Sequence, residues 1–85
     1  MNNCSSYHVV KIMETKYSAF AQVSSFDVRE EAEAYCREGS IREQTNNYKD
    51  RGYSLKIEKE GNIVKFVVKK HNKFHAKITY IMAID

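Results

Sequence analysis

Four side chains with metal-ligating chemistry fall into two pairs of equal spacing, Cys4-x3-His8 and His71-x3-His75, nominally enough for a tetrahedral zinc site. The spacing departs from the usual knuckle form. Within a strand, residues i and i+4 point the same way about 13 Å apart, too far to share one ion. No metal is therefore expected. The other cysteine, Cys36, lacks a third orienting group and a Gly-rich oxyanion loop, so pairing it with a histidine as a nucleophile has little to stand on. Enzyme is the weakest function class, and no cofactor is implied. Lysine carries the stronger pattern. Lys65, Lys69, Lys70, Lys73 and Lys77 face only Asp85 in residues 61–85. Such a cluster is either an ordinary solvated surface or the electrostatic footprint of a polyanion site.

The whole chain bounds these options. Its 85 residues, 42% of them hydrophobic, make one domain over 1–85 with a small packed core. No apolar run approaches the ~18 residues that a membrane span needs. Residues 1–6 lack the basic, apolar and small-residue segments of a secretory signal, so two reduced thiols in a cytoplasm are expected. There is no repeat, low-complexity tract or linker. The net +3 hides a bipolar distribution, −3 over residues 27–48 and +4 over residues 61–85.

The elements that position these groups follow from periodicity and turn chemistry. Tyr7–Met13 and Tyr17–Phe26 read as two strands joined at Glu14-Thr15-Lys16. Asp27, with Glu30 three residues later, has the spacing of a capping box and opens a helix. Val28, Ala32, Tyr35 and Cys36 line one side of it, which makes Cys36 a buried, inert thiol. After Gly39 the apolar phase jumps to Ile41, Thr45 and Tyr48. This predicts a break at Gly39 and a second helix ending at Gly52, with a single kinked helix as the alternative.

Three strands close the chain. Gly61-Asn62 is a two-residue hairpin turn that sets Ile57 opposite Phe66 and Leu55 opposite Val68. A three-residue loop at His71-Asn72-Lys73 sets Val68 opposite Ala76, Phe66 opposite Ile78 and Val64 opposite Tyr80. Both turns put the same side of the middle strand inward, and a one-residue slip would destroy that agreement. The fold class is α+β: an antiparallel sheet with one or two helices on one face, order ββα(α)βββ. Its expected core is Leu55, Ile57, Val64, Phe66, Val68, Ile78 and Tyr80, with Ala32 and Tyr35 from the helix.

The opposite sheet face then carries Lys56, Glu58, Lys65, Val67, Lys69, His75, Lys77 and Thr79, with Lys70 and Lys73 at the loop. In this register Tyr53, Phe66, Phe74 and Tyr80 point to the core, leaving no aromatic on the basic face. A nucleic-acid interface of Lys65, Lys69, Lys70, Lys73, Lys77, Lys56 and His75 would therefore hold RNA by its backbone, with little sequence preference. Glu30, Glu33 and Glu38 offer an acidic helix face as a candidate protein-docking surface. A purely protein-binding inhibitor or adaptor, using that face or a sheet edge, is the competing reading. A free sheet edge also favours a homodimer.

Ser24-Ser25-Phe26-Asp27-Val28-Arg29-Glu30-Glu31-Ala32 and Lys65-Phe66-Val67-Val68-Lys69-Lys70, in a compact Pro-free chain, resemble the small accessory and counter-defence proteins of T-even-type bacteriophages. In size and basic character the chain is similar to the type that counters the ToxN endoribonuclease toxin. The resemblance implies a counter-defence protein in the host cytoplasm that engages RNA and a host endoribonuclease together. It assigns no residue a role.

Overall fold

The computed structural model describes residues 7–84. Five strands form one antiparallel sheet: β1 (Tyr7–Thr15), β2 (Ala19–Phe26), β3 (Tyr53–Glu60), β4 (Ile63–Lys70) and β5 (Lys73–Ile84), in spatial order β2-β1-β5-β4-β3. Between β2 and β3 the chain forms a continuous helix. It comprises α1 (Arg29–Ala34), a π-helical turn (Tyr35–Gly39) and α2 (Ser40–Tyr48). The architecture is α+β with the helix on one sheet face.

The expected pairs Ile57–Phe66, Leu55–Val68, Val68–Ala76, Phe66–Ile78 and Val64–Tyr80 are all present. The β4–β5 connection differs in form. His71 and Asn72 make a two-residue turn with φ of 52° and 62°, and the extra residue sits in a bulge within β5. Lys69 therefore pairs with Phe74, and His75 is skipped. A three-residue loop and a two-residue turn plus bulge displace the register equally, so both satisfy the pairing beyond Ala76. The β1–β2 connection lies two residues later than expected. Ser18 N–H donates to Thr15 Oγ1 at 3.1 Å and Thr15 N–H to Ser18 O at 2.8 Å, closing the turn at Lys16-Tyr17-Ser18.

Asp27 does not cap the helix. The N-cap is Val28, in extended conformation and without a side-chain cap bond. Gly39 does not break it either: its φ of −60° is helical, and Ser40 N–H donates to Tyr35 O, five residues back. Every fourth residue, Ala32, Cys36, Ser40, Gln44 and Tyr48, is buried or packed against the core. In a straight α-helix fourth positions drift by ~40° per step. A π turn takes more residues per revolution and under-rotates, returning the row to the sheet. This removes the need for a break. The helix ends at Tyr48, with Lys49 extended; Gly52 is left-handed, as expected, but lies in the following connection.

The helix crosses the sheet diagonally, with α1 over β1 and β2, the π turn over β4 and β5, and α2 over β3. Val64, Phe66, Val68, Ile78, Tyr80 and Ala32 are buried as expected, joined by Val9, Cys36, Ala76 and Met82. Leu55 and Tyr35 pack against this core from its margin. Ile57 does not belong to it: at 40% exposure it lies at the corner of β3 beyond the reach of α2. Phe20, 51% exposed, occupies the opposite uncovered corner on β2.

Candidate nucleic-acid interface

The pairing register arranges the outer, helix-free face in rows across the strands. Ser54, Lys69 and Phe74 form the first, and Lys56, Val67, Lys77, Glu14 and Ala19 the second. Glu58, Lys65, Thr79, Ile12 and Ala21 form the third. The fourth, Ile63, Ile81, Val10 and Val23, carries β-branched side chains next to Glu60. The face thus grades from basic at one end to apolar toward the other. Its lysines are unequal: Lys65 opposes Glu58, Lys77 opposes Glu14, and Lys56 Nζ lies 3.8 Å from Glu58 Oε2. Lys69 opposes serine and phenylalanine.

Strand parity and the bulge at His75 divide the expected seven-residue set between the two faces. Lys56, Lys65, Lys69 and Lys77 belong to the outer face; Lys70, Lys73 and His75 do not. Lys70 pairs with Tyr53 and Lys73, and its Nζ stands 5.0 Å from the centroid of the Tyr53 ring, on the helix side. His75 packs edge-on against Tyr53 and Tyr48, with centroids 4.8 and 5.9 Å away. It does not oppose Lys69, because the bulge aims it in the same direction as Ala76. The same change of phase sends Phe74 the other way. It lies beside Lys69 on the basic face, 49% exposed, and was expected in the core.

Both groups meet at one end of the molecule. The register sets Tyr53 against Lys70, so the Lys49–Gly52 connection adjoins the His71-Asn72 turn. Lys49 lines a shallow cleft of about 150 Å³ with Tyr48 and Tyr53. This end carries Lys49, Arg51, Lys69, Lys70 and Lys73 against Asp50, with Phe74 on one face and Tyr48, Tyr53 and His75 on the other. Burial, then the neighbouring Tyr53, holds the Tyr48 phenol above its ordinary range, so its ring is neutral. Sequence reasoning missed Lys49, Arg51 and Phe74. The first two were within reach, because the Gly61-Asn62 register already places Gly52 beside the β4–β5 turn.

The remaining candidates fall elsewhere. Glu30 and Glu38 are exposed on the helix, and Glu33 Oε1 forms an ion pair with Arg29 Nε at 3.5 Å. Glu43 turns inward, and both Lys11, at 3.3 Å, and the Tyr80 hydroxyl donate to it. Gln44 Nε2 donates to the same hydroxyl at 2.9 Å. Burial and the Glu43 bond push the Tyr80 phenol far above its ordinary range. This polar cluster clamps α2 to β1 and β5. Cys36 is buried, its thiol raised by desolvation and directed at Tyr80 O and Asn62 O, as an unreactive thiol should be. Cys4 lies outside the described residues. Among the described residues no group of three or more His, Cys, Asp or Glu could hold a metal ion, and no helix is long and apolar enough to cross a membrane. No protein-family model, curated protein or solved structure matches this chain.

Proposed function

We propose that this chain is a non-enzymatic RNA-binding module whose interface is its basic end, used on single-stranded RNA. The observation that carries the reading is the change of phase at His75, which exposes Phe74 beside Lys69. Cations flanking an aromatic ring are the combination by which proteins hold single strands: phosphates are neutralised while a base stacks, with little regard to its identity. The reading departs from a purely backbone-contacting lysine face because an aromatic now stands among the lysines. The phage resemblance adds the biological part of the proposal, inhibition of a host endoribonuclease toxin as a counter-defence, with RNA and enzyme engaged together.

Fluorescence anisotropy with a labelled single-stranded RNA, titrated over a range of salt, tests the interface. Each lysine that touches phosphate should contribute ~0.7 to the slope of log affinity against log salt. Phe74→Ala should cost about 1–3 kcal/mol of binding if its ring stacks on a base, without changing that slope. Lys69→Glu with Lys77→Glu should remove binding and leave the circular dichroism spectrum intact. A wild-type protein that binds no RNA at low salt would refute the proposal. The exposed Glu30 and Glu38 would then make a protein-only inhibitor the better reading.

A further inference from the structure

The two edges of the sheet are built differently. β3 carries Lys56, Glu58, Lys59 and Glu60, the kind of charged edge that resists further strand pairing. β2, with the sequence Ala-Phe-Ala-Gln-Val-Ser-Ser-Phe, has no charge and no proline over eight residues. Among the described residues the large apolar side chains most open to solvent are Tyr17 (87%), Val23 (62%), Phe20, Phe74, Val28 and Ile57. Four of these six lie on β2 or within two residues of its ends. An edge that offers unpaired backbone groups, no repelling charge and a concentration of exposed apolar side chains is a template for another strand.

We propose that the occupant is a second copy of this chain, its β2 paired antiparallel to the first about a two-fold axis normal to the sheet and centred on Val23. The result is a continuous ten-stranded sheet with both helices on one side. Side chains choose this register. It puts Val23 against Val23, extending the row Ile63, Ile81, Val10 and Val23 across the joint, and sets the uncovered Phe20 against Phe26. Centring on Gln22 would instead set Phe20 against Ser24. Charge agrees with the same symmetry. β2 runs from the Lys16-Tyr17-Ser18 turn to the helix start, where Asp27, Glu30 and Glu31 stand. Turning one copy by 180° brings each Lys16 turn to the other copy's acidic helix start.

The test uses nuclease-treated protein, so that bound RNA cannot bridge copies. Sedimentation equilibrium of the wild type should give twice the 9.9 kDa of the chain, and Val23→Lys should give a single chain mass with an unchanged circular dichroism spectrum. In a Cys4→Ser background, Val23→Cys should form a disulfide-linked dimer under mild oxidation. Paired residues in a ladder have Cα atoms about 4.5–5.5 Å apart, within disulfide reach. Ile57→Cys, on the charged edge, should not cross-link. A monomeric wild type at high concentration overturns the proposal, as does cross-linking through Ile57→Cys but not Val23→Cys. If Val23→Lys fails to fold, the cysteine pair decides alone.

Discussion

The two faces of this sheet are drawn from alternate residues of the same strands, and they obey different rules. On the helix side of β4, Val64, Phe66 and Val68 are buried together with Tyr80 and Ile78 of β5. One residue along the same backbone, Lys65, Val67 and Lys69 look outward, where no element covers them. The first face is constrained by packing, so volume and register decide what it tolerates. The second is constrained by what it meets. Only a bulge can exchange a residue between them, and the one at His75 lies where the basic and aromatic groups gather.

The largest expected effect separates the faces at neighbouring positions. Phe66 is fully buried, with its ring 5.6 Å from that of Tyr80 in an edge-to-face arrangement. Phe66→Ala should lower the stability seen in urea unfolding by about 3–5 kcal/mol, a large share of what so small a domain possesses. Val67→Ala, on the open face, should cost under about 1 kcal/mol. Equal costs at the two positions would mean that the outer face is covered.

Tyr80 sharpens the comparison from within the buried side. Tyr80→Phe leaves Glu43 and the Gln44 amide short of a partner, and should cost about 1–3 kcal/mol at neutral pH. It should also change the response to alkali. The folded-state pKa of Tyr80 is raised above the ordinary value of 10.0, so the folded protein keeps a proton that the unfolded chain releases. Its contribution to stability is complete below pH 10.0 and is lost as pH rises from there toward the folded value. Tyr35 and Tyr48 shift in the same direction. Wild-type stability should therefore decline above about pH 10. Tyr80→Phe should decline less steeply, which urea midpoints measured from neutral pH to pH 11 would show.

What was legible in the sequence divides along a physical line. Local turn chemistry at Gly61-Asn62, with clean alternation in β3, set the pairing of Ile57 with Phe66, and the residue count across His71-Asn72-Lys73 set that of Phe66 with Ile78. The bulge was not legible, because register counts residues and does not say where an extra one sits. His75 and Phe74 were consequently assigned to each other's faces. The insertion of β1 beside β5 rests on contacts remote in sequence, and no turn announces it. The apolar phase jump after Gly39 was a true signal with two structural solutions, and the chain uses a π turn. Lys70 and Lys73 flank the turn, as expected, but residues beside a turn still obey strand parity, which puts both in register with Tyr53 on the helix side.

Ile57 gives the smallest effect and the finest test, because it lies directly opposite Phe66 on the helix side. Pairing alone makes the two equivalent, yet Phe66 is fully buried and Ile57 is 40% exposed. The difference comes from the diagonal path of the helix, whose last segment covers Tyr53 and Leu55 and passes the Ile57 corner by. Burial is incomplete there, and a truncated side chain leaves a dent open to water rather than a cavity. Ile57→Ala should therefore cost about 1 kcal/mol, well below the 2–5 kcal/mol typical of a buried isoleucine. Leu55→Ala, two residues back and beneath α2, should cost more. If urea midpoints rank Ile57 with Phe66, the helix lies square across the sheet in solution. The uncovered corner at Phe20 would then lose its explanation as well.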